Sequence, residues 1–112
     1  MKENLSKEDI GIKKEVEVKE IFNHWLPPLL GAEAVTVGNT IYYLKSKSSS
    51  YPMKWLRNHE LVHVEQYKKY GVLGFLIMYF IYYIIGRIQG KDHWGAYKDI
   101  PFEIEARKAE KL

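Results

Sequence analysis

The 112 residues carry 17 Lys and Arg against 14 Asp and Glu, a formal charge of +3, and 46% of them are hydrophobic and 14% aromatic. That balance suits one globular domain with one modest core, spanning residues 1–112, and excludes a disordered chain. The absence of cysteine excludes disulfides and thiolate zinc sites, and the thin, sign-mixed charge excess offers no basic stripe for nucleic acid.

Residues 1–7 lack an apolar run followed by a small-residue cleavage site, so no secretory signal is expected and the sequence indicates a soluble, cytoplasmic protein. Abundant Lys and Glu beside scarce Gln resemble the composition of thermophile proteins. Ser6-Lys7-Glu8-Asp9 has the form of a helix start, with Ser6 placed to cap and an acid three residues later. Residues 9–25 are charged and apolar by turns, which predicts a helix with Ile21, Phe22 and Trp25 on its apolar face. Pro27-Pro28 is expected to end it. His24, beside Trp25, has a structural role in this reading.

A β-hairpin comes next. Residues 34–37 and 40–44 are β-branched and aromatic, and Gly38-Asn39 between them is a two-residue turn. Residues 45–50 are polar and serine-rich, a connector. From 53 to 70 the pattern is helical, with Gly71 as the stop and Lys68-Lys69 suiting the helix C-terminus. Residues 72 to about 88 form a second helix, very apolar and interrupted by Gly74 and Gly86. Residues 72–85 carry no charge. Spanning a bilayer takes roughly 20 such residues, so this is expected to be a buried core helix rather than a span, with Tyr79 to Tyr83 core-facing and partly wet. A loop holds Gly90, His93, Gly95 and Pro101, and residues 102–112 close the chain as a short amphipathic helix. The fold class that follows is α+β, mostly helical, with a short antiparallel hairpin.

The chemistry lies in His59-Glu60-Leu61-Val62-His63, an HExxH sequence inside the 53–70 helix. At 3.6 residues per turn, His59 and His63 stand one above the other and can reach a single Zn²⁺. Glu60 is turned about 100° away and serves better as a general base, taking a proton from a water that zinc has acidified. Two surface histidines on a helix that binds nothing is the plainer alternative. The downstream acids and the apolar Leu61 and Val62 weigh against it. A catalytic zinc needs a third protein ligand and an open position. With no cysteine, Glu103, Glu105 and His93 are the choices.

The run His-Glu-Leu-Val-His-Val-Glu-Gln-Tyr at 59–67, followed by Pro-Phe-Glu-Ile-Glu-Ala at 101–106, resembles the minigluzincins. These are minimal, soluble relatives of the gluzincin metallopeptidases, similar to the catalytic domains of integral-membrane gluzincin proteases. The resemblance implies zinc held by His59, His63 and Glu103, with Glu60 catalytic and a peptide or protein as substrate. It implies that the 40–44 strand lines the cleft as a sheet edge and pairs with an extended substrate backbone. It also implies latency, with residues 108–112 obstructing the cleft within one chain or by exchange in a homodimer. Where the membrane relatives have an aspartate four residues after the ligand glutamate, this chain has Arg107, so the carboxylate that orients a ligating histidine is missing from that position. Tyr97 and His93 are the candidates for stabilising an oxyanion, although a packed or surface position is the favoured reading of each. Two other functions remain open: a metal-binding module without turnover, and a membrane or protein-interaction module anchored by residues 72–85.

Overall fold

The computed structural model describes residues 18–112. The helix start at Ser6 and most of the 9–25 stretch lie outside these residues. Where that stretch becomes visible it is a strand, β1 (Lys19–Ile21), and not a helix. Exposure alternates residue by residue from Val18 to Trp25, a period of two. Glu20 faces inward, bonded to the Arg57 guanidinium at 3.0 Å and accepting from the Tyr43 hydroxyl at 2.8 Å. Phe22 stacks on Tyr43 with ring centroids 4.6 Å apart. These tertiary partners override the weak helical pattern that charged residues give.

Pro27 and Pro28 open a helix instead of closing one. They occupy the first turn of α1 (Leu26–Leu30), where a missing N–H leaves no bond unmade. The Leu26 N–H donates to His24 Nδ1 at 3.1 Å, and the His24 ring lies against Tyr42, which accounts for His24 structurally.

The hairpin forms as expected, from β2 (Ala34–Val37) and β3 (Thr40–Tyr43), paired Val37 to Thr40 through Ala34 to Tyr43. Gly38 has φ 64° while Asn39 stays at negative φ, the φ pattern of a type II′ turn. The sheet is larger than the hairpin, however, because β1 adds to β3 in parallel and gives the order β1-β3-β2. The 40–44 strand is therefore central and not an edge, and among the described residues the free edges belong to β1 and β2.

Helix α2 (Lys54–Tyr70) packs across β2 and β3. Ile41, Tyr43, Leu56 and Val64 make the core between sheet and helix. Gly71 breaks the chain direction, and α3 (Val72–Ile88) leaves at 111° to α2. The segment expected as loop between Gly90 and Pro101 contains a short helix, α4 (His93–Lys98), whose start is capped by Asp92 accepting from the Gly95 N–H. Pro101 begins α5 (Pro101–Ala109), which lies along α2. A second core of Tyr67, Phe75, Ile100 and Phe102 joins α2, α3 and α5, with Phe75 stacked on Phe102 at 4.6 Å.

The expectation of a buried 72–85 helix is corrected here. Only Phe75 and Gly86 of α3 are buried, while Leu73 is 72% and Phe80 63% exposed. A helix apolar on every side has no polar face to mark which side meets water, and its packing on α2, on α4 and on Phe102 of α5 covers one side of it. No single helix among the described residues is long and apolar enough to cross a membrane.

Candidate metal centre

Helix geometry places His59, Glu60 and His63 on the face of α2 that is covered by β2 on one side and α5 on the other. The α5 helix brings Glu103 from its first turn into the same space. His59 Nε2 lies 3.0 Å from Glu103 Oε1, and His63 Nε2 lies 3.3 Å from Glu103 Oε2. The three side chains each offer one ligand atom, and these atoms all fall within 4.8 Å of one another. Donors around a tetrahedral zinc with bonds of 2.0–2.1 Å stand about 3.3–3.4 Å apart. The nearest nitrogen–oxygen separations are therefore close to the spacing an ion requires, and two imidazoles with one carboxylate leave a fourth position open.

Both histidines are held through their far nitrogens. His63 Nδ1 donates to Gln66 Oε1 at 2.8 Å, and the Gln66 amide donates in turn to the Phe102 carbonyl and to Glu105 Oε1. His59 Nδ1 donates to Glu110 Oε2 at 2.6 Å. These bonds turn each Nε2 toward Glu103 and fix the tautomer a metal needs. Glu110 thus supplies the orienting carboxylate absent at Arg107, one helical turn further along. Arg107 instead donates to the Lys98 carbonyl at 2.6 Å, tying α5 to the end of α4.

The electrostatics follow from these contacts. Burial alone would lower the His63 pKa, but the bond and charge of Glu103 outweigh it and push it up to about 9. His59 is raised by the same balance, with burial opposing and Glu103 prevailing. Burial would raise Glu103, yet its bonds to His59 and His63 hold it well below the usual carboxylate range. Without a metal the cluster is an ion network, and a cation that binds replaces protons.

Glu60 sits beside this network, 5% exposed, with Thr36 Oγ1 donating to its Oε1 at 2.7 Å. Burial raises its pKa above the ordinary value against the opposing pull of His63 and Thr36, which suits a carboxylate that must accept and release a proton. Tyr79 donates to Glu103 Oε2 at 2.7 Å. Burial first, and Glu103 next, raise the phenol of Tyr97 as well, so Tyr97 stands within the field of the cluster. His93 does not join it. That ring is exposed at the start of α4, sharing a 2.9 Å bond with the Tyr83 hydroxyl, because α4 turns it along the outside of α3. Glu105 is two positions from Glu103 on α5 and accepts from Gln66, and it is not among the three side chains that converge.

Sequence reading missed Thr36, Gln66, Tyr79 and Glu110. Thr36 was legible in part, as a polar residue at an inward position of an alternating strand. Gln66 was legible from its spacing, three residues after His63 on one helix face. Tyr79 and Glu110 carry no local sign, since only the packing of α3 and α5 against α2 brings them near.

The fold and the triad together define a small α+β domain with a candidate mononuclear metal centre on an HExxH helix. Among known families, a model described as the eCIS core domain matches residues 28–71. That match takes in the hairpin and the whole HExxH helix, and it ends before Glu103. No curated protein and no solved structure matches the chain.

Proposed function

We propose that this protein is a zinc-dependent metallopeptidase of the gluzincin kind, similar to the minigluzincins, with His59, His63 and Glu103 as ligands. The observation that carries this reading is the convergence of Glu103 from α5 on both imidazoles of α2, with a buried Glu60 on the same helix. Bound there, zinc supplies Lewis acidity toward a carbonyl oxygen and toward water. Glu60 takes a proton from the attacking water and passes it to the leaving amine. Thr36 holds the Glu60 carboxylate in place. Tyr97 is the nearer candidate for donating to an oxyanion, and His93 is set aside for that role by its position.

Substrate main chain is assigned to β2. The Leu44 N–H bonds the Glu33 carbonyl at 3.0 Å, so the opposed pairs alternate from there, and the main-chain groups of Ala34 and Thr36 face away from β3. An extended peptide pairing with that edge would run beside Glu60.

The test is zinc content and peptide hydrolysis of wild type beside Glu60→Gln and Glu103→Ala. We expect Glu60→Gln to retain the metal and lose turnover, and Glu103→Ala to lose the metal. Zinc bound tightly by a wild type that cleaves no peptide, and no cleavage either by the chain lacking residues 110–112, would leave the metal site and remove the catalytic reading. A Glu60→Gln variant cleaving at the wild-type rate would remove the role of Glu60.

A further inference from the structure

At about 100° per residue, Leu73, Ile77, Phe80, Ile81, Ile84 and Ile88 of α3 fall within roughly 100° of arc, and every one of them is exposed. Phe75, Tyr79 and Gly86, which face the protein, lie on the opposite side. Single exposed apolar residues are ordinary, but six large ones in one unbroken stripe mark an interaction surface. The surrounding charge says of what kind. Residues 66–91 contain four cations, Lys68, Lys69, Arg87 and Lys91, and no Asp or Glu. Lys69 reaches over the Tyr70 ring at 5.2 Å, and Arg87 donates to the Tyr83 hydroxyl, so neither of these contacts pairs the cation with a carboxylate. Lys91 is paired with Asp99. Trp94, 56% exposed, follows just past the cationic end.

A second copy packed on this stripe about a two-fold axis would bring cationic ends against cationic ends, whether the helices ran parallel or antiparallel. An anionic lipid surface complements both ends at once. The 17 residues of α3 measure about 25 Å, short of the roughly 30 Å hydrocarbon core, and the 111° bend from α2 breaks any longer span. A helix with an apolar face, cationic flanks and a neighbouring Trp lies in the plane of the interface.

We propose that α3 is an in-plane anchor that docks this protein on anionic bilayers through its exposed apolar stripe and cationic ends. The inference is independent of the metal reading, but it has a consequence for it. Tyr79 points away from the stripe and bonds Glu103, so docking holds the triad about one helix diameter, roughly 10 Å, from the lipid. Substrates would then be peptide segments lying close to a membrane surface.

The experiment is flotation of the full chain with vesicles of phosphatidylcholine, with and without phosphatidylglycerol. Wild type should float with the anionic vesicles and bind less at high salt. Ile77→Glu with Phe80→Glu, both at exposed sites, should reduce binding at least about tenfold, with unchanged circular dichroism. Lys69→Glu with Arg87→Glu should abolish the preference for anionic lipid while leaving the stripe intact, a readout that stands if the first variant fails to fold. Wild type that floats with neither vesicle, or an Ile77→Glu/Phe80→Glu variant that floats like wild type, would overturn the proposal. So would a dimer in sedimentation that the same variant dissolves, in place of vesicle binding.

Discussion

Each nitrogen of His59 and His63 that faces away from Glu103 ends on an acceptor, Glu110 for one and Gln66 for the other. Glu110 is the less expected of the two, since it lies at the C-terminal end of α5, 51 residues from His59 along the chain. Glu110→Gln should keep the fold and weaken zinc binding about 10–100-fold, measured by competition with a chelator. The same cluster sets the pH response. His63 is raised from 6.5 to about 9, so its pairing stabilises the metal-free fold fully below pH 6.5 and fades as pH rises toward about 9. Glu103 is lowered from 4.5, so its share is present above pH 4.5 and is lost as pH falls below that. The excess stability of metal-free wild type over Glu103→Gln should therefore peak between pH 4.5 and 6.5 and decline toward 9, as read by thermal melts in chelator. Zinc binding should show the opposite slope, tightening from neutral pH to about 9, because the ion needs neutral imidazoles.

Among the elements, α3 and α4 meet through a glycine. A Cβ at Gly86 would stand 3.0 Å from both Cα and Cβ of Ala96, too close for the backbone to absorb without moving α4. Gly86→Ala should cost about 1–3 kcal/mol, visible in denaturant unfolding. Much less should follow at Gly74, where the nearest atom is the Tyr70 Cβ at 3.8 Å. Helix boundaries were legible wherever glycine or proline punctuated them. Gly71 separates α2 from α3, and Pro101 opens α5, because left-handed φ and a missing N–H act locally. The strand at Lys19–Ile21 was not legible. Its pairing partner, Thr40–Tyr42, lies some twenty residues away, and a three-residue strand has no stability apart from that partner.

At the scale of the molecule, the C-terminal segment is part of the site. The sequence reading expects residues 108–112 to obstruct the cleft, and Glu110 of that segment bonds the ring nitrogen of His59 that faces away from Glu103. Removing residues 110–112 should accordingly weaken metal affinity in the chelator assay. A rise in peptide turnover instead would assign the segment to latency. The sequence alone determined the HExxH helix, the hairpin and the short set of candidates for a third ligand, Glu103, His93 and Glu105, since helical period and turn chemistry are local properties. Tertiary structure decided which acid meets the imidazoles, which strand is the sheet edge and which side of α3 is bare. Those outcomes depend on how α2, α3 and α5 pack, and packing joins residues whose separation along the chain carries no periodic trace.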